Sequence, residues 1–122
     1  MQRHRFLRLV RRALAGLPPP YAAWLANIDV VVERWPQRHQ LREAGLAPNE
    51  LLFGLYEGIP LTERSSDYGM VLPDKVTIFQ EPLQRACSTD AELVAEVRST
   101  VLHELAHHFG ISDEELERLG LD

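Results

Sequence analysis

Cysteine is almost missing from this chain: Cys87 is the only one among 122 residues. One cysteine cannot close an internal disulfide, so the fold must be held by packing alone and nothing calls for an oxidising compartment. The expectation for Cys87 is a small buried apolar residue rather than a reactive thiol. Long apolar runs are missing too, and no stretch approaches the ~18 residues of a membrane-spanning helix. The basic N-terminus, followed by Ala13, Leu14, Ala15 and Gly16, has the outline of a secretion signal. Arg8, Arg11 and Arg12 interrupt any apolar segment that could form its centre. These absences point to a cytoplasmic protein without a membrane partner. Internal repeats, low-complexity tracts and long polar linkers are also lacking, so one domain over residues 1–122 is expected.

Acids are absent from the first twelve positions, which hold Arg3, Arg5, Arg8, Arg11 and Arg12. The formal net charge is −5, so the rest of the chain sums to −10. An acidic body argues against a nucleic-acid partner and leaves the N-terminal arginines as the one candidate phosphate contact.

What is present reads as an α+β pattern. Phe6, Leu9, Val10, Ala13, Leu14 and Leu17 recur at helical spacing, which predicts an amphipathic helix over 3–16, stopped by Gly16 and the prolines that follow. A short turn is expected over Tyr21–Leu25, a strand over Ile28–Glu33, and a helix over 37–44 ending at Gly45. Leu51–Glu57 and Lys75–Gln80 read as strands on either side of a long loop over 58–74, and Pro82 opens a helical turn. Thr89 and Glu92 have capping-box spacing, so a long helix starts near Asp90 and runs to Gly110. Ser112 and Glu115 repeat that spacing and start a last helix over about 113–119. The expected fold is a three- or four-stranded sheet packed on two or three helices.

The chemistry lies in residues 103–113, His-Glu-Leu-Ala-His-His-Phe-Gly-Ile-Ser-Asp, the pattern H-E-x-x-H-x-x-G-x-x-D. Histidines four apart lie about 40° apart around a helix and one turn apart along it, so His103 and His107 can reach one point. That is what a tetrahedral zinc ion requires. Glu104, about 60° from His107, sits beside such an ion without being forced into its ligand set. There it can accept a proton from water. Two histidines hold a catalytic zinc poorly, so a third ligand is needed. Gly110 lets the helix end sharply, and Asp113 could return as that ligand, leaving one position open for water. The competing reading of Asp113 is a helix-dipole acid placed after its cap. His108 points about 100° from His107 and reads as core or rim, with Asp113's ligand role as its alternative.

Leu93, Val94, Val97, Val101, Leu105 and Phe109 form a broad apolar arc, extended by Leu102 and Ala106, so this helix should be covered on most sides. Glu96 and Thr100 lie below the histidines, as orienting partners for an imidazole or as solvent-bordering residues.

Residues 103–113 resemble the extended signature of metzincin-like zincins, in the variant that ends in Asp rather than His, as in snapalysin. The chain as a whole resembles a family of small bacterial zincin-like metallopeptidases that consist of little more than this core. The likeness includes the segment from Gly54 to Ser65, Gly-Leu-Tyr-Glu-Gly-Ile-Pro-Leu-Thr-Glu-Arg-Ser. It implies a short twisted sheet over the motif helix, one bound Zn2+, and a peptide or protein substrate paired to an open strand, either Leu51–Glu57 or Lys75–Gln80. The chain departs from the family's larger members. The last methionine is Met70, so no methionine turn lies beneath the zinc, and no distant downstream Glu offers another ligand.

The reaction expected is peptide-bond hydrolysis with Glu104 as general base, the proton then passing to the leaving amine. Tyr68 is the candidate oxyanion donor, against a packed loop aromatic. Glu57, Glu63 and Asp67 read as solvated loop charges. Two alternatives stand beside this. One is a zinc-dependent endoribonuclease-like hydrolase using the N-terminal arginines. The other is a zinc-stabilised binding module, or a subunit whose cleft is completed by a partner.

Overall fold

The computed structural model describes residues 1–58 and 74–118. Along the chain lie α1 (Arg3–Ala15), α2 (Pro19–Trp24), a 3₁₀ turn (Leu25–Asn27), β1 (Ile28–Glu33), α3 (Arg38–Glu43) and β2 (Gly54–Glu57). They are followed by β3 (Asp74–Phe79), α4 (Gln80–Ala86), α5 (Asp90–His108) and α6 (Asp113–Arg118). Among the described residues this is an α+β arrangement of six helices and a three-stranded mixed sheet.

Local chemistry accounts for most boundaries. α1 buries Phe6, Leu9, Val10 and Ala13 on one stripe. α2 begins earlier than the expected Tyr21, because prolines suit a first helical turn whose N–H groups need no partner. α3 starts at a capping box, in which the Gln37 N–H donates to Gln40 Oε1 at 2.8 Å. β2 is shorter than the expected Leu51–Glu57, although the Phe53 carbonyl still accepts the Phe79 N–H at 2.9 Å. α4 starts at Gln80, directly from β3, rather than at Pro82.

The strand order is β1-β3-β2, with β3 parallel to β1 and antiparallel to β2. β3 is therefore paired on both sides. That corrects the idea that Lys75–Gln80 offers an open edge; among the described residues the outer strands are β1 and β2.

Side chains alternate across the sheet. Val32, Val76 and Ile78 face α1 and α5 and join the main core with Phe6, Val97, Val101 and Leu105. Burying each such Val or Leu contributes about 1.5–3 kcal/mol. On the other face Leu55 and Phe79 pack with Leu52 under α3. There the buried Gln40 Nε2 and Thr77 Oγ1 both donate to Glu57 Oε1 at 3.0 Å, which gives Glu57 structural partners. Phe109 departs from the expected arc. It caps α5 beyond the core, is 45% exposed, and lies against the Trp24 ring at 4.5 Å.

Two of the N-terminal arginines are engaged within the fold. Arg3 Nη2 donates to the Val32 carbonyl at 3.0 Å, and Arg5 pairs with Asp90 at 2.9 Å. Cys87 is half-buried, and its thiol is pushed up first by burial and then by Glu96 and Glu92, which disfavours the reactive thiolate. No helix among the described residues is long and apolar enough to cross a membrane.

Candidate metal centre

Three local devices bring the motif together. At the start of α5, Thr89 Oγ1 accepts the Glu92 N–H at 3.1 Å while Glu92 Oε2 accepts the Ser88 N–H at 2.7 Å. At its end Gly110 adopts φ 74°. The Ile111 N–H then donates to the Ala106 carbonyl at 2.7 Å and the Gly110 N–H to the His107 carbonyl at 3.3 Å. This is a Schellman closure, whose left-handed residue glycine accepts without strain. The chain reverses, and Ser112 Oγ accepts the Glu115 N–H at 3.2 Å to start α6. Asp113, the first residue of α6, is thereby returned over the last turn of α5.

His107 Nε2 lies 3.3 Å from Asp113 Oδ1, and His103 Nε2 lies 3.9 Å from the same oxygen. Ligand atoms about 2.0–2.1 Å from a tetrahedral zinc stand about 3.3–3.4 Å apart. The first pair has that separation and the second is wider. Accordingly, no group of three or more His, Cys, Asp or Glu side chains among the described residues is yet closed into a metal-holding set. The donor chemistry nonetheless fits zinc. His103 Nδ1 lies 2.7 Å from the Ser99 carbonyl. A carbonyl only accepts, so Nδ1 carries the proton and Nε2 keeps its lone pair for a metal.

Glu104 is positioned from the sheet. Its Oε2 accepts the backbone N–H of Tyr56, on β2, at 3.1 Å. Burial raises its pKa; the Tyr56 hydrogen bond and the neighbouring His107 and His103 pull the other way, and burial wins. A carboxylate in that environment is a stronger base than one in water.

Other candidates fall elsewhere. Neither Glu96 nor Thr100 is hydrogen-bonded to an imidazole; the orienting acceptor of His103 is the Ser99 carbonyl, a backbone group that no side-chain pattern announces. Glu96 and Thr100 instead line a groove that opens beside His103 and Glu104. His108 stacks on the Tyr56 ring at 4.1 Å and 19°, with Nε2 3.1 Å from the Tyr56 hydroxyl and 4.0 Å from Asp74 Oδ2. Those contacts direct it to the sheet rather than towards Asp113's place. Tyr68, Glu63 and Asp67 lie outside the described residues.

No curated protein matches the chain. One solved structure, a conserved hypothetical protein from Thermo thermophilus, shares the fold with a TM-score of 0.59 at 20% identity, over 89% of this chain and 94% of that one. The model of the zincin-like metallopeptidase family matches residues 25–121, from the 3₁₀ turn before β1 through the motif helix and α6, and the chain belongs to that family.

Proposed function

We propose that the protein is a zinc-dependent peptidase in which His103, His107 and Asp113 hold one zinc ion and Glu104 is the general base. The observation that carries this reading is the approach of both Nε2 atoms to Asp113 Oδ1, next to a carboxylate pinned on an edge strand. When bound, zinc supplies a Lewis acid and lowers the pKa of its water to about 7. The chain's own groups do the rest. Asp113, 68% exposed at its side chain, swings to shorten its 3.9 Å separation from His103. The Ser99 carbonyl keeps the His103 lone pair aimed outward. Glu104 accepts the proton of the attacking water and passes it to the leaving amine nitrogen. Tyr56 holds Oε2, which leaves Oε1 for that proton.

The substrate reading also draws on β2. The Phe53 carbonyl is bonded to β3 while the Tyr56 N–H is turned to Glu104. By alternation, the main-chain N–H and C=O of Gly54 face away from β3, where an extended peptide could add beside β2.

The test is elemental analysis joined to a peptide digest read by mass spectrometry. Wild type should carry one zinc per chain and cleave peptides; His107→Ala and Asp113→Ala should lose the metal. Glu104→Gln should keep zinc and cleave nothing. A Glu104→Gln variant as active as wild type would overturn the mechanism.

A further inference from the structure

The groove beside the candidate site encloses about 290 Å³ and joins two unlike surfaces. One wall is apolar, formed by the half-buried Phe53 as the chain enters β2. The other is the face of α5 that runs from Glu104 and His103 back to Glu96. Glu96 is half-buried and has no hydrogen bond or ion pair with another described residue. It stands seven residues before His103, about 10 Å along the helix. One residue of extended backbone, about 3.3 Å, plus one long side chain spans that distance.

We propose that this groove is a specificity pocket for a lysine or arginine side chain flanking the scissile bond of a peptide substrate, with Glu96 as its counter-charge. The inference rests on the peptidase reading above. Phe53 covers the methylene stem, and the cationic head reaches the Glu96 carboxylate at the far end. Such a division of labour suits an amphipathic side chain, whose stem packs while its head stays polar. A glutamate or aspartate side chain in the same place would meet a like charge, and a short apolar one would leave the groove half filled. The wider field agrees. Beyond the arginine-rich first twelve residues the chain sums to −10, which draws cationic peptides towards the molecule.

The experiment separates recognition from turnover. Two fluorescein-labelled peptides are used, identical except for one lysine replaced by norleucine, and their binding to zinc-loaded Glu104→Gln protein is measured by anisotropy. The lysine peptide should bind about fivefold tighter, with the preference shrinking as salt rises. Adding Glu96→Gln should abolish the preference, and Glu96→Arg should transfer it to a glutamate-containing peptide. Asp29→Asn, which removes an equal charge from the exposed far edge of the sheet, should leave the preference intact. Equal binding of both peptides, or no binding of either, overturns the proposal. So does a lysine preference that survives Glu96→Gln. If wild type cleaves peptides without regard to a flanking cation, only the pocket assignment fails. If the Glu96-dependent preference is present but nothing is cleaved, the pocket stands and the peptidase reading fails.

Discussion

The main-chain N–H of Tyr56 donates to Glu104 Oε2 at 3.1 Å, so a sheet edge and a helix share one hydrogen bond at the candidate base. The two residues are 48 apart in sequence. A general base must be held within hydrogen-bond reach of its proton, and a backbone amide in a paired strand is a rigid way to hold it. The contact depends on how closely β2 approaches α5, and that approach depends on a residue with no side chain.

Gly54 is that residue. A Cβ built there would lie 2.6 Å from Thr100 Cγ2 and 3.1 Å from the Thr77 carbonyl oxygen. Gly54→Ala should push β2 off the helix, destabilise the protein by about 1–3 kcal/mol and reduce hydrolysis more than binding of zinc. Thr100→Ser removes the offending methyl, so the double variant should recover part of both losses. Urea melts and initial rates of the four proteins check this; strictly additive losses would count against the close-approach explanation.

Glu104 carries a pH signature in the metal-free protein. Burial raises its pKa above the ordinary value of 4.5, so the folded state holds this proton more tightly than the unfolded chain does. Such a group stabilises the fold fully below the unfolded value, and the contribution is lost as pH rises through the folded one. Glu104→Gln has nothing to titrate there and keeps an acceptor for the Tyr56 N–H. The variant should therefore gain stability relative to wild type as pH rises from about 4.5 through the higher folded-state value. Chemical denaturation across that range decides it; a stability difference that does not change with pH contradicts the burial argument.

Gly110 and Gly45 form a matched pair of glycines, with φ 74° and 73° and nothing within 4 Å of an added Cβ. Alanine at either site should cost about 1–2 kcal/mol from backbone strain alone. Only Gly110→Ala should also weaken zinc binding, because only that turn returns Asp113 over the histidines. Zinc titration of both variants, beside their thermal melts, makes the comparison; equal affinities would remove the hinge from the argument.

Asp113 and Glu114 share the first turn of α6, where either acid favours the helix dipole by about 0.3–1 kcal/mol. Asp113→Ala and Glu114→Ala should thus have similar effects on the metal-free protein. With zinc they should diverge, Asp113→Ala losing well over the roughly tenfold affinity that follows removal of a supporting group. Wild type and Glu114→Ala should melt at higher temperature with zinc than with a chelator. If the two variants bind zinc equally well, Asp113 is only a capping-turn acid.

Much of the helical framework was legible because it is local. Periodicity placed α1, and capping spacings placed the starts of α5 and α6, where Thr89 and Ser112 make the expected bonds. The motif needed only the pitch of a helix and the turn at Gly110. Three features were not legible. Ser99 aligns His103 through a backbone carbonyl, which every residue possesses. His108 turned out to be committed to Tyr56, a partner 52 residues away. Lys75–Gln80 reads like any exposed strand in one dimension, yet β3 lies between two partners.

The chain by itself determined which residue types recur at which spacing, and so where a helix presents two imidazoles and a carboxylate before a glycine stop. Those are consequences of a 3.6-residue repeat acting over a few turns. The tertiary structure decided which strand lies at the edge, which amide holds Glu104, and that Glu96 opens onto a groove. Each of these depends on contacts between segments far apart in sequence, and no local pattern encodes the order in which strands pair.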